Sequence, residues 1–196
     1  MNVTLENGLP DLLTGDAVRL QALKAVAQLG LPDAWLAAGF VRNRVWDALH
    51  GDTATPLNDL DVIVFDAEDR EGTRARRAEA ALRERLPGLA WQVRNQALMH
   101  ARNGDRPYRD CADAMTVWPE IETAIGARLD PQGQVELLAP FGIDSLLAGR
   151  LTANPKRPRE VFLGRVRSKR WLEIWPRLEL ADGWADDDFN AQHSGL

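Results

Sequence analysis

The sequence predicts an α/β (α+β) protein in which a mixed sheet is flanked by helices and followed by a C-terminal helical appendage. Three observations carry this. Short apolar runs of strand length, above all residues 60–65, alternate with stretches whose apolar residues recur at helical spacing. One glycine, Gly39, joins the first such run directly to a helix. Finally, 196 residues with 45% apolar content can bury a substantial core, yet are few enough for one domain with an appendage.

In chain order, Asp16 caps a first helix carrying Leu20, Leu23 and Ala27, which Gly30 and Pro32 end. Residues 34–38 form a short strand closed by Gly39, and 41–49 read as a helix with Val45, Trp46 and Leu49 on one side. The Thr, Asp, Pro and Gly content of 51–58 predicts a loop before the strand at 60–65. Ala75, Ala78, Leu82 and Leu86 mark the inner face of an Arg-rich helix that stops before Pro87 and Gly88. A strand over 90–95 and a short helix over 110–118 follow, then a hairpin of 124–129 and 135–138 around the turn 130–133. A helix over 143–151 capped by Asp144, a Pro-rich basic loop over 155–158 and a final helix over 160–175 complete the pattern. The expected organisation is a domain over 1–150, a basic C-terminal helix over 151–180 packed on it, and an acidic flexible tail over 181–196.

No run approaches the roughly 18 apolar residues of a spanning helix, and the amino terminus lacks a basic-then-apolar leader; the expectation is a cytoplasmic protein with no membrane partner. The single cysteine, Cys111, excludes an internal disulfide and reads as a packed residue. His50, His100 and His193 show no zinc-ligand spacing, and His193 belongs to the tail. Charge is uneven: residues 150–177 carry +7, leaving −12 for the rest of a chain whose net charge is −5. Such a segment either packs on the acidic body or attracts phosphate and RNA. Trp118, Trp171 and Trp175 read as core, the last two being i and i+4 on the final helix.

Asp59 and Asp61 are two apart at the start of an apolar strand, so alternation points both carboxylates to one face. Like charges this close repel, and a hard divalent cation, which prefers carboxylate oxygen, relieves the repulsion. Asp66, of opposite parity and beyond the strand, is not expected to join them. Upstream, a helix starting after Gly39 offers free amides and a positive dipole end to phosphate. Arg42 and Arg44 lie in its first turn, where cations are unfavourable unless an anion binds nearby.

Residues 38–43, Ala-Gly-Phe-Val-Arg-Asn, followed by Asn58-Asp59-Leu60-Asp61-Val62, resemble the G-G-x-V-R-D and D-x-D motifs of tRNA CCA-adding enzymes and bacterial poly(A) polymerases. Over most of its length the chain is more similar still to a bacterial nucleotidyltransferase-like family with R-N-x-x-W, D-x-D-V, N-Q-A-x-M-H, W-P-E and A-P-x-G-x-D segments. These stand here at 42–46, 59–62, 95–100, 118–120 and 139–144. The resemblance implies the polymerase-β-type nucleotidyltransferase fold and Mg- (or Mn-) dependent transfer of a nucleoside monophosphate from a nucleoside triphosphate to an acceptor hydroxyl. Asp59 and Asp61 match the metal-binding acids. Gly39, Phe40, Arg42, Asn43 and Arg44 form the nucleotide-binding turn, with Phe40 at the usual second Gly or Ser. The third carboxylate of the superfamily has no counterpart in residues 91–95. Asn95 occupies the place without being able to take a proton, Asp110, Asp113 and Glu136 are substitutes from elsewhere, and His100 is a further site neighbour. The alternative is a nucleotide- or RNA-binding protein of the same fold with impaired catalysis. The acceptor is open, and since the resemblance ends with the catalytic fold, polynucleotide tailing is not implied.

Overall fold

Alternation along two short strands divides the apolar side chains between two faces of one sheet. Leu36, Leu60, Val62 and Val64 enter the main hydrophobic cluster. Trp35, Ala37 and Ile63 enter a smaller one with Cys111, Met115 and Ala124. The period of two thereby puts Asp61 on the smaller cluster's face, where cover by apolar side chains ends.

The computed structural model describes residues 5–57 and 59–181. It contains α1 (Leu5–Thr14), α2 (Ala17–Ala27), β1 (Trp35–Ala37), α3 (Gly39–Leu49), β2 (Leu60–Val64), α4 (Thr73–Arg85) and β3 (Trp91–Asn95). The second half adds α5 (Met99–Asn103), α6 (Cys111–Met115), β4 (Gly126–Leu129), β5 (Val135–Leu138), α7 (Asp144–Leu147), β6 (Arg150–Leu151), α8 (Arg159–Ser168), α9 (Trp171–Ile174) and β7 (Glu179–Leu180). The five-stranded sheet has the order β3-β2-β1-β4-β5. β2 and β3 run parallel while the other neighbours are antiparallel, so the sheet is mixed as expected. β4 and β5 form the predicted hairpin, and Asp16 caps α2 through Val18 N and Arg19 N.

The C-terminal segment is fixed by aromatic packing. Trp46 on α3 meets Trp171 and Trp175 edge-on, with centroids 5.6 and 5.0 Å apart. Each such pair adds about 0.5–1.5 kcal/mol beyond area burial. Phe162, Val166, Trp171, Trp175 and Leu178 share the main cluster with the sheet.

Four expectations need correction. The final helix is two helices, because Arg170 takes a left-handed conformation (φ 53°) that ends α8 and reorients Trp171 and Trp175 toward Trp46. The helix at 143–151 stops at Leu147. Gly149 (φ 69°) then turns the chain into β6, which pairs with β7. Asp144 is the first residue of α7 rather than its cap, and makes no capping hydrogen bond. A helix, α1, precedes Asp16; Gly8 and Pro10 disguise it, but Leu9 and Leu13, one turn apart, are fully buried. The expected acidic tail and His193 lie outside the described residues, apart from Ala181. Among the described residues no helix is long and apolar enough to cross a membrane.

Candidate active site

One row across the sheet builds the site. Ala37 pairs with Asp61, and Asp61 with Gln92, so Gln92 stands beside Asp61 on the same face; Arg94 follows two residues on, beside Ile63. Asp59 sits exposed just before β2. Burial pushes the Asp61 carboxyl above the ordinary aspartate range and the negative charge of Asp59 pushes it further, against Arg42, Lys169 and Arg94. A partly desolvated carboxylate with a second acid beside it is a donor set that fits a hard divalent cation.

The turn before α3 carries backbone strain. Ala38 has φ 54° and ψ −118°, a region that a Cβ disfavours. Its carbonyl accepts from Val41 N (3.1 Å) and Arg42 N (3.0 Å), and no side chain caps the helix. The amides of Gly39 and Phe40 precede these first intrahelical donors and are left for a ligand. A Cβ at Gly39 would stand 3.4 Å from Asn43 Nδ2, so glycine keeps the approach open. Relief of the strain in Ala38→Gly is expected to stabilise the fold by roughly 1 kcal/mol, raising Tm by about 2–4 °C. Scanning calorimetry checks this; a fall in Tm would contradict it.

Arg42 is the unusual group. It is 7% exposed, and its guanidinium lies 5.2 Å from the Trp46 ring centroid and 4.5 Å from that of Trp171. Its Nε has no hydrogen-bond partner among the described residues. Burial pushes its pKa down to about 10; Glu120 opposes this, Arg165 adds to it, and Asp61 opposes it. It therefore remains cationic at neutral pH. Glu120 is fully buried and accepts from Arg165 Nε and from Thr123 Oγ1 (2.9 Å). Asp47, also buried, accepts from Trp175 Nε1 (2.8 Å) and from Thr55 Oγ1 (2.9 Å), tying the C-terminal segment and the loop after α3 to the same helix.

Together these residues enclose a cleft of about 480 Å³ lined by Ala38, Gly39, Arg42, Asn43, Asp59, Asp61, Gln92, Arg165, Lys169 and Trp171, among others. Clefts of roughly 300–1,000 Å³ accept small-molecule ligands. Asn43 Oδ1 has no partner there among the described residues.

Of the residues singled out in the sequence, Gly39, Arg42, Asn43, Asp59 and Asp61 meet in this cleft. Others do not. The Phe40 side chain is fully buried in the main cluster, and its carbonyl accepts from Arg19 Nε (3.0 Å), so only its amide is at the turn. The glycine-like position is Ala38, two residues earlier. Arg44 points to Asp52 (2.9 Å) outside the cleft. Asn95 faces the other side of the sheet, where its side chain bonds Asp66 N, Asp66 O and Ala97 N and locks the turn after β2. His100 Nδ1 bonds the Ala97 carbonyl, and its ring packs on Tyr108 rather than lining the cleft. None of the substitute acids reaches the site: Asp110 caps α6, Asp113 pairs with Arg106, and Glu136 pairs with Arg128. Cys111 is buried, and burial raises its thiol far above the usual range.

Glu120, Arg165, Lys169 and Gln92 were not anticipated as site residues. The W-P-E segment and the charge excess over 150–177 were the only trace of the first three in the sequence, and the alternation of residues 91–95 the only trace of Gln92.

Residues 24–180 match a nucleotidyltransferase family. The chain is similar to a solved structure described as a CCA-adding enzyme head domain, with a TM-score of 0.79 and 31% identity over 90% of this chain and 95% of that one. A tRNA-processing enzyme complex shares the fold at TM-score 0.51 and 16% identity, over 81% of this chain and 42% of that chain. A CCA-adding enzyme in complex with CTP does so at 0.50 and 14%, over 93% and 41%. No curated protein matches the chain.

Proposed function

The chain belongs to the nucleotidyltransferase family, and on that premise we propose that its cleft transfers a nucleoside monophosphate from a nucleoside triphosphate to an acceptor hydroxyl. The Gly39 and Phe40 amides would hold the terminal phosphates at the start of α3, with Arg42 and Lys169 neutralising their charge. Asp59 and Asp61 would hold magnesium or manganese, which when bound supplies positive charge against the charge developing on the phosphoryl oxygens. In the transfer, the acceptor oxygen bonds to the α-phosphorus and the bridging α–β P–O bond breaks. Pyrophosphate leaves with the bonding pair. Gln92 stands beside Asp61, where it can orient a hydroxyl but not take its proton, so the proton passes to water. The expected setting is the cytoplasm, where nucleoside triphosphates and magnesium are supplied.

The observation that carries this reading is Arg42. A nearly fully buried guanidinium, stacked between two tryptophans at the edge of a cleft and countered by Glu120, still has an unpartnered Nε among the described residues, so it keeps donor capacity that an anion in the cleft would meet. Arg42→Met preserves the packing and removes the charge. It is expected to raise the Kd for a magnesium–nucleotide complex by about tenfold or more, the scale of one charge-assisted hydrogen bond. Calorimetric titration of both proteins tests this, and an unchanged Kd would sink the reading.

A second reading, nucleotide or RNA binding without turnover, is favoured by Gln92 in place of an acid. Pyrophosphate release separates the two: its absence with every nucleotide and metal, despite binding, selects the second. Much of the basic segment is engaged internally. Arg157 pairs with Asp105, Arg165 with Glu120 and Arg170 with Glu173, which favours a mononucleotide over RNA as partner.

A further inference from the structure

A second cleft, of about 270 Å³, opens on the other side of Asp61 and shares Ala38, Asp61 and Arg165 with the first. Its own wall includes Arg94 and Trp118. Arg94 is exposed and donates to Gln92 Oε1 (3.0 Å), with no carboxylate in ion-pair range among the described residues.

Resting on the nucleotidyl-transfer reading, we infer that this second cleft holds the acceptor, a small molecule that carries a phosphate monoester beside its reactive hydroxyl, with Arg94 as the specificity-determining residue. The clefts meet at Asp61, so a hydroxyl at their junction faces the α-phosphate of a nucleotide in the first. Arg94 lines the second cleft with its planar fork free of any carboxylate among the described residues, a match for the acceptor oxygens of a phosphate; Arg165, held through its Nε by Glu120, adds positive charge to the same wall. Trp118 supplies an apolar face for the carbon skeleton. The volume suits a sugar phosphate better than a strand, and the internal pairing of Arg157 and Arg170 removes charge that a polynucleotide backbone would need. Bonds and protons balance as above: acceptor oxygen to α-phosphorus, pyrophosphate leaving, and the hydroxyl proton to water.

The test uses the whole protein with magnesium and the α,β-methylene analogues of the common nucleoside triphosphates, followed by calorimetric titration with ribose 5-phosphate and with ribose. The analogue-loaded protein is expected to bind ribose 5-phosphate about tenfold or more tighter than ribose. Arg94→Gln should weaken ribose 5-phosphate by about tenfold and leave the Kd of the analogue unchanged. Equal binding of ribose, indifference to Arg94→Gln, or displacement of the analogue by ribose 5-phosphate overturns the proposal while the nucleotide site stands. A single-stranded RNA that excludes ribose 5-phosphate from the loaded protein assigns the cleft to a polynucleotide end and also overturns it. Failure of every analogue to bind wild type refutes the nucleotide reading itself, and this proposal with it.

Discussion

Asp61→Asn is expected to abolish nucleotidyl transfer while making the unliganded protein more stable at neutral pH. Loss of an outer-shell partner alone lowers metal affinity or activity by about 10–100-fold. Loss of one of two ligands should therefore reduce pyrophosphate release by at least about a hundredfold. The stability gain follows from burial and from Asp59, both of which raise the Asp61 carboxyl. A raised acid means that the folded chain holds this proton more tightly than the unfolded chain. The corresponding stability is fully present below the ordinary aspartate value and is lost as pH rises through the folded-state value. At pH 7 the ionised Asp61 thus works against the fold, and asparagine removes that cost. Tm at pH 7 should therefore rise. The difference from wild type should shrink as pH falls. Magnesium should raise the Tm of wild type and leave that of Asp61→Asn unmoved. A variant that is less stable at pH 7 and still responds to magnesium would contradict the assignment.

Glu120→Ala is expected to be the most destabilising single change at the site. The Glu120 carboxylate is fully buried: it accepts from Arg165 Nε and is the largest charge opposing the effect of burial on Arg42. Its removal leaves Arg42 buried without its counter-charge and facing Arg165. Breaking a buried pair from one side costs about 3–5 kcal/mol, which for this length lowers Tm by roughly 10 °C. Thermal unfolding checks this. If Glu120 acts by holding Arg42 and Arg165, the double change Glu120→Ala with Arg42→Met should recover part of the loss, because it removes the stranded charge. An additive double mutant would show that Glu120 acts otherwise.

How much of this was legible in the sequence depended on whether the cause was local. The alternation from Leu60 to Val64 is a short-range pattern, and it placed Asp61 on the open face correctly. The same rule applied to β3 selects Gln92 and Arg94 and sends Asn95 to the opposite side, where the hydrogen bonds to Asp66 and Ala97 explain its presence. The glycine turn was visible in Gly39, but the strained residue was not, because alanine carries no mark of a positive φ. Arg165 and Lys169 line the cleft with Asp61 through tertiary packing, in which Trp171 and Trp175 meet Trp46 more than a hundred residues away and Glu120 holds Arg165. The break at Arg170 that allows this packing is set by tertiary contact, not by propensity. Glu120 lay within a noticed segment, yet its role needs two arginines from separate helices. No pattern in one stretch of chain can report that.

The most direct test is a crystal structure of the protein with magnesium and a non-hydrolysable nucleoside triphosphate. The expected result is a triphosphate against the Gly39 and Phe40 amides and Arg42, with the metal on Asp59 and Asp61. A nucleotide seated instead in the cleft between α2 and β4, lined by Leu23, Val26 and Arg128, with no metal at the aspartates, would contradict the account.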